Sequence, residues 1–248
     1  MARTDFVTPR LFIDAPLGEG GRLTLAEGQS HYLLNVLRLP VGARVLVFNG
    51  REGEFAALLE QPSRKRAALN VGERLRAQEF GPDLDYLFAP LKHARLDYVA
   101  QKAVEMGVRR LRPVMTRRTQ AGRVNLERLR ANAVEAAEQC GVIWLPEIRT
   151  DEPLAATLKH WPVERLLIFC DEEAPLSDPI EALALGGGRG RALALLVGPE
   201  GGFEDDEREA ILRLPNVLRI SLGPRILRAD TAAVAALALI QARLGDWG

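Results

Sequence analysis

The sequence predicts an α/β protein, with a mostly parallel β-sheet covered by helices on both faces and a small β-barrel before it. Two observations support this fold class. From about residue 73 onward, apolar strand-type segments alternate with helical patterns, which is typical of βαβ units. Before that point, short extended segments are separated by glycines. We therefore expect a β-barrel domain over residues 1–72 and an α/β domain over residues 73–248.

The N-terminal segment contains five predicted strands and one predicted helix. The strands cover residues 10–14, 22–26, 44–48, 54–59 and 66–71. The helix covers residues 30–39, where Ser30 can cap the N-terminus. One face of this helix carries the apolar side chains Leu33, Leu34 and Leu37. Short strands with a single helix favour a small barrel, a shape that by itself establishes no function.

The rest of the chain alternates strands with helices. Predicted strands cover residues 85–89, 111–115, 166–170, 192–197 and 218–222. One predicted helix ends at Gly107, one begins after the cap residue Asn125, and three cover residues 178–185, 205–214 and 231–244. Ligands of such sheets bind at the carboxyl ends of the strands. This rule directs attention to two loops, residues 198–203 and 223–228, which each follow a strand and precede a helix.

The composition excludes several classes of protein. With 47% hydrophobic and 27% charged residues, it is that of an ordinary globular protein. Cys140 and Cys170 have no metal-type spacing, so we expect neither a disulfide framework nor a metal site. No apolar signal core follows the first residues, and the uncharged residues 231–242 are fewer than the roughly 18 needed for a membrane span. We therefore expect a cytoplasmic protein that does not enter a membrane.

Charge is distributed unevenly, although the formal net charge is zero. Residues 108–130 hold eight arginines and one acidic residue, whereas residues 200–209 hold six acidic residues and one arginine. An arginine-rich segment suits contact with RNA phosphates, because guanidinium groups match phosphate oxygens. Alternatively, the arginines reflect only a genome rich in G and C, and the sequence leaves both interpretations open.

The first loop has the sequence GPEGGF, from Gly198 to Phe203. Its glycines allow the backbone to approach a ligand closely. It is not a Walker loop, because no Gly-Lys-Ser/Thr follows, and its glycine spacing does not match the dinucleotide fingerprint. The acidic residues after it favour a cationic or neutral ligand over a polyphosphate. The alternative is a tight turn without a ligand.

The second loop joins the last predicted strand to the last helix with the sequence LGPRILRADTA. Asp230 or Thr231 is expected to cap that helix. Arg225 and Arg228 lie in a loop at a strand end, so they are available to an anionic substrate.

Together, GPEGGF, the acidic segment after it and LGPRILRADTA resemble the signature of the RsmE-type 16S ribosomal RNA uridine N3-methyltransferases, members of the SPOUT superfamily. Weaker matches extend over nearly the whole chain, with the segments RLF, HYLLNVLR, QKAVEMGV, RP and EAAEQ. The sequence departs from the family pattern at Met106, Thr119, Gly141-Val142 and Asp230. The departures at Thr119 and Gly141-Val142 bear on RNA contact and not on the cofactor site.

The resemblance implies an N-terminal PUA-like, RNA-binding barrel and a C-terminal domain whose chain end forms a trefoil knot. It also implies a homodimer that binds S-adenosylmethionine between the two loops and methylates 16S rRNA of the small ribosomal subunit, without a metal. The implied cofactor contacts are Leu196, Val197, Gly198, Pro199, Glu200, Gly201, Gly202, Leu222, Gly223, Ile226 and Leu227. Two alternatives stay open: a ribose 2′-O-methyltransferase of the same superfamily, and a non-catalytic RNA-binding assembly factor.

Methylation of uracil N3 requires removal of the N3 proton and stabilisation of the resulting anion. Arg225 and Arg228 are the candidates for anion stabilisation, with Arg10 as a further cation from the N-terminal domain. The proton acceptor is left open among Glu200, Glu138 and Asp230. RNA contacts are expected from Arg10, Arg38, Arg117 and Arg118.

Overall fold

The computed structural model describes residue 5, residues 7–92 and residues 94–247. The chain forms two compact units. The first comprises the residues up to Phe80 together with Ala137–Leu145, and the second comprises Gly81–Ala136 and the residues from Pro146 onward. One strand of the first unit, Arg66–Arg76, runs past the boundary predicted at residue 72.

The first unit is built on a five-stranded sheet. Its elements in chain order are β1 (Arg10–Phe12), β2 (Arg22–Thr24), α1 (Glu27–His31), β3 (Arg44–Phe48), β4 (Glu54–Ser63) and β5 (Arg66–Arg76). The strands lie in the order β1-β3-β4-β5-β2, with β1 parallel to β3 and the other pairs antiparallel. Alternate apolar side chains, including Val45, Leu59 and Leu69, form its buried core. All five predicted strands are present.

The helix predicted at residues 30–39 is wrong in its bounds. The helix α1 begins at Glu27, and a π-helical turn, Tyr32–Val36, follows it. Ser30 does not cap the helix. It is buried, and its hydroxyl accepts a hydrogen bond of 3.1 Å from the backbone N–H of Ala67. Such a contact between distant segments has no local sequence signal, so the pattern suggests a cap where there is none.

The second unit holds the remaining elements, except that the end of α3, from Ala137, belongs to the first. In chain order they are β6 (Leu84–Phe88), α2 (Ala94–Glu105), β7 (Arg110–Met115), α3 (Leu126–Cys140), β8 (Glu147–Ile148), β9 (Glu152–Pro153), α4 (Leu154–Lys159), β10 (Leu166–Cys170), α5 (Pro179–Ala184), β11 (Leu193–Val197), α6 (Asp205–Leu212), β12 (Val217–Ile220) and α7 (Ala229–Arg243). The short elements β8, β9 and α4 have no counterpart among the predicted ones, because each is too short to show a clear period.

The main sheet of the second unit has the strand order β12-β10-β11-β6-β7-β8, and its pairs are parallel. Neighbouring residues of one strand face opposite sides, so Tyr86 packs in the core with α2 and α7 while Leu87 packs with α4 and α6. Helices therefore cover both faces, which confirms the predicted α/β class. The carboxyl ends of β12, β10 and β11 lie side by side at one edge. The trefoil knot stays a prediction.

Two predicted helix caps have different outcomes. Asn125 caps α3 as predicted, because its side-chain oxygen accepts a hydrogen bond of 3.0 Å from the backbone N–H of Arg128. The caps predicted for the last helix are wrong. The helix α7 begins earlier than predicted, with Arg228 at the N-cap position. Asp230 lies inside the first turn, where it accepts a hydrogen bond from the backbone of Thr231.

Within the described ranges, no helix is both long and apolar enough to cross a membrane. The same residues contain no group of three or more His, Cys, Asp or Glu side chains that could hold a metal ion. Cys140 and Cys170 are both partly buried.

Candidate active site

A cavity of about 380 Å³ opens at the carboxyl ends of β10, β11 and β12, and we call it the strand-end cavity. Three loops line it: residues 170–173 at the end of β10, residues 197–203 after β11 and residues 220–227 after β12. Its volume is in the range of small-molecule and cofactor sites, roughly 300–1,000 Å³. The two loops singled out in the sequence therefore lie together, at the sheet edge where ligands of α/β proteins bind.

The first loop, residues 198–203, is held in shape by its own packing. A Cβ atom at Gly198 would lie 2.5 Å from the ring of Phe203, so a larger residue does not fit there. The Phe203 ring packs edge-on against Phe169 of β10, with the ring centroids 5.3 Å apart. Gly202 has a φ of +71°, in the left-handed region that favours glycine. These glycines make a compact loop with little side-chain bulk.

Two arginines from the segment after β7 hold the first loop and the start of α6. The guanidinium of Arg118 donates to the carbonyl oxygen of Gly201 at 2.6 Å and to the carboxylate of Glu204 at 2.7 Å. The hydrogen bond from Arg118 lowers the pKa of Glu204, and the positive charge lowers it further. Arg117 pairs with Asp206 at 2.5 Å. Arg117 and Arg118 thus pair with carboxylates at the start of α6, and both side chains are about half exposed or more, so their RNA contact stays a prediction.

The first loop also carries Glu200, which lines the strand-end cavity. Its carboxylate forms an ion pair with the guanidinium of Arg95 in α2. The side chain of Glu200 is about half exposed. The loop is therefore held from two sides, by Arg118 at Gly201 and by Arg95 at Glu200.

The third wall, residues 170–173, was not expected from the sequence. Asp171 is buried, and its carboxylate pairs with Arg208 at 3.1 Å and with Arg219 at 2.7 Å. Burial alone would raise the pKa of Asp171, but hydrogen bonds from Arg208, Arg219 and the backbone of Glu173 outweigh it and lower the pKa. The same strand-end rule applied to the predicted strand at residues 166–170 would have found this wall.

Cys170 lies in the same wall. Burial raises the pKa of its thiol to about 12, and the charge of Asp171 contributes to the shift. The thiol is therefore protonated at neutral pH, and Cys170 is a small apolar part of the wall rather than a nucleophile.

The second loop presents two arginines, Arg225 and Arg228. Arg225 lines the cavity, whereas Arg228 lies just beyond it at the start of α7. Both are exposed, and neither forms an ion pair within the part of the chain that the structure describes. Ile226 is 93% exposed. Leu222 and Leu227 are partly buried and add apolar surface to the cavity wall.

Several residues predicted for the site lie elsewhere. The side chain of Leu196 is fully buried in the sheet core, and Leu196 does not line the strand-end cavity. The other ten residues predicted to contact the cofactor do line it. Arg10 is buried in the first unit and pairs with Glu54 at 2.7 Å, so the structure contradicts its expected catalytic and RNA-binding roles. A guanidinium that is 3% exposed is not available to a substrate. Arg38 is exposed and has a φ of +52°.

Two of the three candidate proton acceptors are engaged in local structure. Glu138 accepts a hydrogen bond of 2.9 Å from the backbone N–H of Phe12, within the first unit. Asp230 accepts one of 2.8 Å from Thr231. Neither lines the strand-end cavity, which leaves Glu200 as the candidate that does.

Comparison with known families defines the class of this protein. Residues 79–241 match the model of an RNA methyltransferase domain, and residues 25–72 match the model of an RNA methyltransferase PUA domain. A strand-end cavity in a parallel sheet, together with these two matches, defines an RNA methyltransferase with a PUA domain.

Comparison with individual proteins identifies the family more specifically than the domain models do. The chain is 31% identical to ribosomal RNA small subunit methyltransferase E of Rickettsia conorii, over 94% of each chain, and 32% identical to that of a Synechocystis species, over 98% of this chain and 78% of the relative. A solved structure of the same enzyme from Neisseria gonorrhoeae, bound to S-adenosylmethionine, matches with a TM-score of 0.86 and 25% identity, over 97% of this chain and 100% of that one. The chain belongs to the ribosomal RNA small subunit methyltransferase E family, which confirms the family predicted from its motifs.

A second solved structure also matches this chain along nearly its whole length. A methyltransferase from Legionella pneumophila, in complex with S-adenosylmethionine, matches with a TM-score of 0.83 and 28% identity, over 96% of this chain and 99% of that one.

Proposed function

We propose that this protein transfers a methyl group from S-adenosylmethionine to N3 of a uridine in 16S rRNA of the small ribosomal subunit, in the cytoplasm. One observation carries the proposal. The strand-end cavity has a preformed glycine loop on one side and, on the other, a loop whose arginines have no ion pair among the described residues.

The residues of the strand-end cavity fit S-adenosylmethionine. The cofactor carries positive charge at its sulfonium and ammonium groups, and when bound it supplies an electrophilic methyl group. The cavity wall offers the carboxylates of Glu172, Glu200 and Asp205, which favour a cationic ligand. Leu222 and Leu227 offer apolar surface to a flat adenine ring. The glycines of the first loop leave its backbone amides and carbonyls open to hydrogen bonds.

Arg225 and Arg228 stabilise the negative charge that develops on uracil when the N3 proton leaves. An exposed guanidinium without an internal partner is free to turn toward an anionic oxygen. Positive charge aimed at a developing anion is commonly the largest single contribution to catalysis. Arg225 is the closer candidate of the two, because it lines the cavity and Arg228 does not.

Glu200 accepts the N3 proton. It lines the strand-end cavity, whereas Glu138 and Asp230 do not. The ion pair with Arg95 fixes the direction of the carboxylate, so a free oxygen lone pair is held toward the substrate.

The first unit contributes to RNA binding through its PUA fold and through Arg38. The side chain of Arg38 is exposed and has no ion pair within the described residues. Its left-handed backbone, with a φ of +52°, is unusual for arginine and is of the kind found at functional positions. Arg38 therefore stays our candidate for RNA contact in this unit.

The protein acts as a homodimer. The helix α7 is apolar around its whole circumference, as expected of a helix that is covered on more than one side. One side packs in the core of the second unit, while Val234, Ala235 and Ala238 are only partly buried. A second copy that covers this strip would bury them. Size-exclusion chromatography with light scattering tests this, and a monomeric mass at micromolar concentration would refute it.

The main experiment has two parts. Calorimetry is expected to show binding of S-adenosylmethionine, and no heat of binding would favour a non-catalytic RNA-binding protein. The protein is then incubated with unmodified small ribosomal subunits and labelled cofactor, and the rRNA nucleosides are separated by mass spectrometry. We expect N3-methyluridine. A 2′-O-methylated nucleoside would instead establish ribose methylation and overturn the proposed acceptor atom.

A further inference from the structure

A second cavity, of about 420 Å³, lies at the ends of the next two strands of the sheet, β6 and β7. Its walls are residues 90–92 after β6, residues 120–125 after β7 and the first turns of α2 and α3. All of these residues belong to the second unit. Neither of the two cofactor loops lines this cavity.

The second cavity combines an apolar floor with a cationic rim. Leu91, Val124 and Leu129 are buried at its floor. Lys92 and Arg123 are exposed at its rim, and neither forms an ion pair within the described ranges. Surfaces of this kind fit a ligand that has a flat, weakly polar part and an anionic part.

The remaining charges of the second cavity cancel each other. Arg128 of α3 pairs with Asp97 of α2 at 2.5 Å, and its pKa is raised by this hydrogen bond and by the charge of Asp97. The positive charges of Lys92 and Arg123 therefore remain available to a ligand.

A smaller cavity of about 200 Å³ shares lining residues with both the second cavity and the strand-end cavity. The smaller cavity shares Lys92 and Gln120 with the second cavity. It shares Arg118, Glu200 and Gly201 with the strand-end cavity. A chain of cavities thus follows the carboxyl edge of the sheet, and a polymer whose reacting base lies beside Glu200 would extend along it.

We propose that the second cavity binds a nucleotide of the RNA substrate, with the base over the apolar floor and a backbone phosphate between Lys92 and Arg123. This rests on the proposed methyl transfer to RNA. An enzyme that reacts with a base must take it out of the stack, and contacts to the neighbouring nucleotide hold the strand while it does so. Phosphate is the part of RNA that lysine and arginine contact without regard to sequence.

The test compares two double variants with the same change of charge. The first is Lys92→Gln with Arg123→Gln. The control is Lys159→Gln with Arg189→Gln, which removes two exposed cations of the second unit that line none of the three cavities. For each variant, calorimetry gives the Kd for S-adenosylmethionine, and initial rates give the KM for unmodified small ribosomal subunits. Fluorescence anisotropy with labelled single-stranded oligouridylate, at several salt concentrations, gives direct RNA binding.

The first double variant is expected to bind the cofactor normally, which shows that it is folded. Its KM for RNA should rise about tenfold or more, because charged hydrogen bonds to phosphate are lost. The slope of log affinity against log salt should become shallower by about 0.7, which corresponds to the loss of one phosphate contact on a single strand. Equal KM and equal salt dependence in the two double variants would overturn the proposal. Failure of the wild type to methylate would count against the proposed function alone, because oligouridylate binding still tests the second cavity.

Discussion

The two loops of the strand-end cavity are built in different ways. In the loop at residues 198–203, Arg118 holds the carbonyl of Gly201, Arg95 holds Glu200, and the Phe203 ring packs on the backbone of Gly198. In the loop at residues 222–228, both arginines are exposed without an ion pair among the described residues.

This difference separates two tasks. A loop fixed by distant contacts keeps its shape before the ligand arrives, and it loses little entropy on binding. A loop with exposed side chains and few contacts has low local stability and can move toward a substrate. We therefore expect changes in the first loop to affect cofactor affinity, and changes in the second to affect the rate of methyl transfer.

The largest effect is expected from Gly198→Ala in the first loop. The added Cβ atom would lie 2.5 Å from the Phe203 ring, so the ring must move and the loop must change shape. Overpacking of this kind costs about 1–3 kcal/mol of stability. We expect calorimetry to detect no binding of S-adenosylmethionine.

Two further variants test the cause of that loss. In Gly201→Ala the new Cβ atom would lie 3.4 Å from the flexible side chain of Arg118, so cofactor binding should be largely retained. The double variant Gly198→Ala with Phe203→Leu removes the ring that causes the clash and should recover part of the affinity. If Gly198→Ala binds the cofactor as well as the wild type, the first loop is not a rigid cradle.

The second largest effect is expected from a change in the loop at residues 222–228. Arg225→Gln removes a cation from the cavity without breaking an ion pair within the described part of the chain. The kcat of methyl transfer should fall roughly 100-fold, as it does when one group that stabilises an anion is lost. The Kd for S-adenosylmethionine should stay unchanged. A large loss of cofactor affinity with a normal kcat would mean that the second loop holds the cofactor instead.

The sequence predicts both loops, because their signals are local. Buried strands show as apolar runs, glycine and proline mark the turns, and the rule about strand ends then selects residues 198–203 and 223–228. The alternation of strands and helices likewise predicts the parallel sheet. Local signals also predict the five strands of the first unit, because each strand corresponds to a short extended segment between glycines.

The contacts that distinguish the two loops are not local, and the sequence does not reveal them. Arg118 and Gly201 are 83 positions apart, and Arg10 and Glu54 are 44 apart. From sequence alone, arginines that bind RNA cannot be distinguished from arginines that pair with carboxylates. Only the fold brings those carboxylates near. Arg117 and Arg118 lie in the arginine-rich segment, and the fold gives each a carboxylate partner far away in sequence. Arg10 lies outside that segment, and its partner Glu54 is equally hidden from the sequence pattern.

The third effect concerns the contact that holds the first loop. Arg118→Gln removes the hydrogen bond to the carbonyl of Gly201 and the ion pair with Glu204. Because this ion pair is about half exposed, its loss should weaken cofactor affinity only about fivefold. Arg117→Gln is a matched control, since it also removes an ion pair to α6 but makes no contact with the loop glycines. Equal effects of the two changes on the Kd would show that charge alone is responsible.

The smallest effect is a difference in acid stability at the third wall. The pKa of Asp171 lies below its ordinary value of 3.8, because its hydrogen bonds with Arg208 and Arg219 favour the charged form despite burial. A lowered pKa means that the ion pairs stabilise the fold above pH 3.8 and that this contribution is lost as the pH falls further. Asp171→Asn should therefore be less stable at neutral pH, and its free energy of unfolding should decline less than that of the wild type on acidification. Urea unfolding from neutral pH down to pH 3 measures both curves. Parallel curves would show that Asp171 is not the group that titrates.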